Sequence, residues 1–296
     1  MSVDDLLQKR LVVVMGKGGV GRTTVAAALG LVAARRGRRV IVCEVGSQAR
    51  LAELGPGLAA TSIDPRRAKL EWLERQLHSR RLAGFVGRNR LFELLTAAAP
   101  GLAELVTIGK VWDVAQPGRG SSGSGLDVVI LDAPATGQGL ALLEAPRTYM
   151  KVARAGPVHS QARRVDEFIH DPASTAVLGV ALPEEMPVNE TLELEGRLRR
   201  DGVALEAVIV NALYPARFTG EEAQRMSTLD GRLPGGVRAG LRIALGEHGR
   251  ARSQRGHLRR LRKGLDVPVH TLPFLFEPEL GPAEIEALSH ALEDAL

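Results

Sequence analysis

Aromatic side chains are scarce in this 296-residue chain, at 3% of all residues. The core must therefore be aliphatic, built from leucine, valine and alanine. That composition suits parallel α/β layers, whose buried strands are aliphatic runs. Cysteine occurs once, at Cys43, which excludes an internal disulfide and any site needing two or more thiolates from one chain. A reducing compartment fits this usage, and a cytoplasmic location is expected. Long apolar runs are missing too. No stretch of about 18 uncharged apolar residues occurs, so a membrane-spanning helix is not expected, and the opening MSVDDLLQKR lacks the apolar segment of a signal peptide. A soluble protein is expected. The seven histidines (His78, His159, His170, His248, His257, His270 and His290) show no H-x-x-x-H or H-E-x-x-H spacing, so no dedicated zinc site is expected.

What is present is ordinary for a globular chain: 45% hydrophobic and 25% charged residues, enough length for one large core or a core with a subdomain. The formal net charge is +5, unevenly spread. Between Arg238 and Lys263 stand nine Arg or Lys and one acid, Glu247. Such a run is either a solvated helix face or a contact for an acidic partner, nucleic acid or lipid headgroups.

The order of patterns is strand, loop, helix, strand. LVVVM (11–15) is a continuous apolar run, as in a buried strand. After GKGGVGRTT comes the Ala-rich VAAALGLVAARRG, with Gly37 placed to terminate a helix. RRVIVCEV (38–45) reads as a second buried strand. A unit of this length implies a right-handed crossover and parallel pairing. Residues 64–115 then change to helical spacing, with Leu70, Leu73 and Leu77 on one face, and are expected to form an inserted helical subdomain; 116–125 reads as a flexible loop. Alternation resumes with LDVVILDAP (126–134), TAVLGVAL (175–182), EAVIVNAL (206–213), a basic helix near 235–264, DVPVHTLPFL (266–275) and a closing helix carrying Ile285, Leu288 and Leu292. The expected fold is a single α/β domain over 1–296 with a doubly wound, mostly parallel sheet.

Chemistry concentrates in the loop Gly16-Lys17-Gly18-Gly19-Val20-Gly21-Arg22-Thr23-Thr24. Closely spaced glycines let successive backbone N–H groups turn toward one anion, and the following helix adds its positive N-terminal end. The run matches G-x-x-x-x-G-K-[ST] with Arg22 in place of lysine, between a strand and a helix, which is the context this phosphate loop requires. The Thr23 hydroxyl stands where the motif places a Mg²⁺ ligand.

Lys17, directly after the first glycine, makes the loop resemble the deviant form K-G-G-x-G-[KR]-[ST]. With it the chain resembles the arsenite-transporter ATPase family (ArsA-like, including the tail-anchored-protein targeting ATPases), and more broadly the dimeric ATPases that include the Min and Par proteins. The resemblance implies ATP and Mg²⁺ as ligands and a P-loop NTPase fold. It also implies a nucleotide-sandwich homodimer, or a heterodimer with a paralogous ATPase, in which Lys17 reaches the partner's nucleotide. VILDAPATGQ (129–138) resembles the family's second switch, D-x-A-P-T-G-H, with Gln138 at the usual histidine; this implies that Asp132 holds Mg²⁺ through water. Glu44 stands where the family has the aspartate that orients the attacking water, although Val45-Gly46 replaces Pro-Ala. Asn211 matches an adenine-reading asparagine, and Pro273 and Phe274 match the late loop over the base. Segments 183–198 and 156–168 resemble stretches flanking the dimer interface.

The departures refine what the resemblance implies. Arg22 is a planar fork where the usual loop lysine is a compact point charge, so nucleotide binding is expected to survive better than hydrolysis. Arsenite capture is disfavoured by the lone Cys43, and the zinc-bridged C-x-x-C pair of the targeting members is absent. Three readings result: a slow ATPase whose 64–115 helices bind a client protein, a pseudo-ATPase regulatory subunit, and a Par/Min-type positioning ATPase on DNA or membrane. Only the 238–263 run supports the last, and acids at Glu284, Glu286, Glu293 and Asp294 make the closing helix a poor anchor on anionic lipid.

Overall fold

The computed structural model describes residues 2–46, 51, 55, 57–77, 101–116, 125–229 and 234–296. Most of the expected 116–125 loop, and the middle of the 64–115 segment, lie outside the described residues.

A short helix α1 (Val3–Leu7) precedes strand β1 (Leu11–Gly16), helix α2 (Arg22–Arg35) and strand β2 (Val40–Val45). Strand β3 (Ala60–Ile63), helix α3 (Pro65–Leu77), helix α4 (Leu102–Ala115) and strand β4 (Val128–Asp132) follow. The chain continues through α5 (Thr136–Val152), α6 (Pro157–His170), β5 (Thr175–Ala181), α7 (Glu185–Asp201) and β6 (Leu205–Leu213). It ends with α8 (Gly220–Leu229), α9 (Gly235–Gly264), β7 (Val269–Pro273) and α10 (Pro282–Ala295). All pairings in the seven-stranded sheet are parallel, in the order β3-β2-β4-β1-β5-β6-β7.

The aliphatic runs explain the layering. Every residue of β1, β4 and β5 is buried, because helices cover both faces of the middle of a parallel sheet. Side chains alternate along β1: Val12 and Val14 join the layer under α2 and α10, while Leu11, Val13 and Met15 join the opposite layer under α4 to α7 and α9. On the first face α2 lies close through Ala26, Ala27 and Ala28, and α10 adds the expected stripe Ile285, Leu288 and Leu292.

Two details differ from the sequence reading. β3 was not foreseen: three of its four residues are only partly buried at the sheet edge, so the apolar run that marks a central strand is missing. Within α3, Leu70 is exposed while Ala68 and Trp72 pack toward the core. α4 packs onto the sheet, burying Val106, Ile108, Val111, Trp112 and Ala115 in the same cluster as β1 and β4.

Candidate functional site

In a parallel sheet, loops with chemistry gather at the carboxyl ends of the strands, where the connections leave for opposite faces. β1 lies between β4 and β5, and its end meets theirs: Val14 is level with Asp132 and Gly16 with Val180. Asp132 is in turn level with Glu44 at the end of β2. The sheet thus brings together the phosphate loop and two acids that lie far apart in the chain.

The loop glycines have separate structural reasons. A Cβ on Gly16 would sit 2.3 Å from the Val180 carbonyl oxygen, so the backbones of β1 and β5 can run side by side only with glycine there. Gly21 has φ 89° and caps α2 with no side-chain acceptor; a Cβ on it would meet Asn211 Nδ2 at 2.3 Å. The first N–H groups of α2 are therefore left without a side-chain cap, the arrangement that binds anions at helix starts. A methyl group on Gly18 or Gly19 would have nothing within 4 Å of it, so that side of the loop is open.

Thr23 and Asp132 meet directly at the start of α2. The Thr23 hydroxyl donates to Asp132 Oδ2 at 2.6 Å. Asp132 is 9% exposed, and its Oδ1 is buried without a hydrogen-bond partner among the described residues. Burial pushes its carboxyl above the usual aspartate range, opposed by the Thr23 hydrogen bond and the Arg22 charge. A buried carboxylate with one orphaned oxygen beside a hydroxyl is a hard-oxygen set of the kind that serves magnesium. These residues fit the cation that the motif implies.

Arg22 is half-buried and donates through one guanidinium nitrogen to the Ala133 carbonyl, just past Asp132. Burial pulls its pKa down, partly offset by Asp132. Glu44 is 8% exposed at the end of β2, beside Ser62 of β3 in register. Lys17 is a salt-bridge partner of Glu190 on α7, at 2.6 Å.

At the other end of the site, Asn211 Nδ2 donates to the Val20 carbonyl at 3.0 Å, tying β6 to the phosphate loop. The next residue, Ala212, has φ 57°, the one positive φ outside glycine among the described residues. Gln254 of α9 holds this bend: its Oε1 accepts from the Tyr214 backbone N–H at 2.8 Å. Pro273 is exposed at the end of β7 and pairs with Leu213. Phe274 donates its N–H to the Leu213 carbonyl at 3.0 Å and stacks on Tyr214 with ring centroids 4.4 Å apart. Phe276 meets both rings edge-on, and Arg217 and Arg250 lie 5.0 Å from the Phe276 and Tyr214 centroids. In a chain so poor in aromatics, three of them meet here.

Sequence reasoning missed Glu190, Tyr214, Gln254 and Phe276. Glu190, one acid among several in the α7 helix, carries no local signal; the others gave faint ones, an uncharged glutamine inside a basic helix and two aromatics near residues already singled out.

Comparison with known proteins adds lineage to this geometry. The family model described as "Anion-transporting ATPase" matches residues 9–156 and 153–229. The chain belongs to the anion-transporting ATPase family. ATPase BagA of Mycobacterium tuberculosis is 32% identical over 255 residues, covering 79% of this chain and 74% of that protein. ATPase GET3C of Arabidopsis thaliana is 25% identical over 269 residues, covering 70% and 68%. The arsenical pump-driving ATPase of Escherichia coli is 29% identical over 218 residues, covering 71% of this chain but 36% of that longer protein. Membership in the anion-transporting ATPase family supports ATP binding and ATPase activity for this chain. Among the described residues no helix is long and apolar enough to cross a membrane.

Proposed function

We propose that this anion-transporting ATPase family member is a slow, magnesium-dependent ATPase whose nucleotide state controls a dimer and, through it, the binding of a client or membrane-associated protein. The observation that carries the reading is the Thr23–Asp132 hydrogen bond, with the second Asp132 oxygen buried and unpartnered at the end of the phosphate loop.

In this reading Gly16 to Thr24 cradle the phosphates with backbone N–H groups and the start of α2. Thr23 and Asp132 hold Mg²⁺, the latter through water; bound Mg²⁺ neutralises charge on the phosphates. Arg22 adds a fixed positive charge, Lys17 supplies a second cation, and Glu44 orients the attacking water. Asn211, Pro273 and Phe274 take the adenine. Catalysis rests on position and charge, with no covalent step for the protein. The 64–115 helices present the client surface, and the partner subunit is a second copy or a paralogous ATPase in the cytoplasm.

A second reading, a nucleotide-binding subunit without turnover, is favoured by one observation: the Arg22 guanidinium is engaged by the Ala133 carbonyl. Steady-state phosphate release by the wild type beside Asp132→Ala separates the two. Turnover in the wild type that disappears in the variant supports the ATPase; equal background rates support the subunit without turnover.

A further inference from the structure

The Lys17 ammonium is held by a carboxylate of its own chain. Lys17 Nζ lies 2.6 Å from Glu190 Oε1, with the two side chains 29% and 36% exposed. Glu190 is not a wandering surface acid. It sits in the first turns of α7 between Val188 and Thr191, both buried, and the Thr191 hydroxyl donates to the Pro187 carbonyl at 2.8 Å. Its neighbour Asn189 accepts from Arg260 of α9 at 2.5 Å. The α7 end is thus fixed by apolar burial on one side and by α9 on the other, and it presents Glu190 at the mouth of the phosphate loop.

The Lys17 side chain is partly exposed, and at Gly18 and Gly19, which follow it, an added methyl group would meet nothing within 4 Å. An ammonium is a compact point charge that carboxylate and phosphate oxygens satisfy in the same way. The two anions are therefore alternatives for it.

We infer that Glu190 is a positioning residue that acts through Lys17: it competes with nucleotide phosphate for the ammonium and so restrains phosphate-loop engagement until nucleotide displaces it. This rests on the nucleotide-binding reading above. A partly exposed ion pair is weak, which is what a reversible latch requires; a deeply buried pair would not open.

The test is Mg-ATP affinity of the full chain, measured by isothermal titration calorimetry for the wild type, Glu190→Gln, Lys17→Ala and the double variant. Removing the carboxylate charge is expected to tighten binding about two- to fivefold at low salt, the scale of an exposed ion pair. The gain should shrink as ionic strength rises. It should vanish in the Lys17→Ala background, because a latch needs its lysine whereas a general charge effect on phosphate does not. An unchanged or weaker affinity in Glu190→Gln, or an equal gain with Lys17 absent, would overturn the latch and leave nucleotide binding standing. Absence of binding in all four proteins would overturn the nucleotide reading, and the latch with it.

Discussion

Thr23 and Asp132, 109 residues apart in the chain, meet through a 2.6 Å hydrogen bond at the carboxyl end of two adjacent parallel strands. This contact turns a sequence motif into a site: it sets a hydroxyl and a buried carboxylate side by side where the α2 N-terminus begins.

The first prediction concerns that carboxylate. Asp132→Asn keeps the shape and the Thr23 contact but removes the charge that a cation needs. ATP turnover is expected to fall about 10- to 100-fold, the usual cost of removing an outer ligand of a metal site. Phosphate release at saturating Mg-ATP is the measurement, and an unchanged rate would remove Asp132 from the metal site.

Arg22 is the family departure with the clearest consequence. Arg22→Lys replaces the fork held by the Ala133 carbonyl with a point charge free to follow phosphate. We expect kcat to rise about threefold, a barrier change below one kcal/mol, with little change in Mg-ATP affinity. Steady-state kinetics beside a binding titration reads both.

Gly16 is also constrained by packing. A methyl group there would lie 2.3 Å from the Val180 carbonyl oxygen, and neither central strand can yield without disturbing a fully buried layer. Gly16→Ala is expected to destabilise the fold by about 1–3 kcal/mol, the range for overpacking. A lower urea midpoint checks it.

These two positions also show how far the sequence could be read. The strand that carries Gly16 was legible because five consecutive apolar residues cannot be solvated, and the phosphate loop because its glycines serve a backbone geometry no other residue supplies. Asp132 was legible by its place at the end of β4, and Asn211 by the resemblance of its strand to the family's adenine-reading stretch. Glu190 was not: its meaning comes from the approach of α7 to the loop across 173 residues, and nothing local marks it. The aromatic cluster was hidden likewise, since Tyr214 and Phe276 become neighbours only when β6 and β7 pair. β3 escaped because its four residues, ATSI, include a single large apolar side chain, Ile63.

Stability should depend on pH through Asp127, which fastens the start of β4 to Arg39. The Arg39 guanidinium, then its backbone N–H, hold the Asp127 carboxyl down at about 2, against an ordinary 3.8. A depressed carboxylate pKa means that the stabilisation is present above 3.8 and is lost as pH falls toward about 2. Asp132 has the opposite sign: burial raises its pKa, so its contribution is present at low pH and is lost as pH rises through the raised value. Comparing urea midpoints of wild type and Asp127→Asn isolates the first. The difference should be full near neutrality and close on acidification through that window; a difference that does not change with pH would contradict the assignment.

The central claim is that the loop from Gly16 to Thr24, completed by Asp132, binds ATP with magnesium. Isothermal titration of the full chain with ATP, with Mg²⁺ and then with EDTA in its place, tests it most directly. Saturable binding that weakens when the metal is removed, and that loses its metal dependence in Asp132→Asn, is the predicted result. No binding at millimolar nucleotide, or binding indifferent to Mg²⁺, would contradict it.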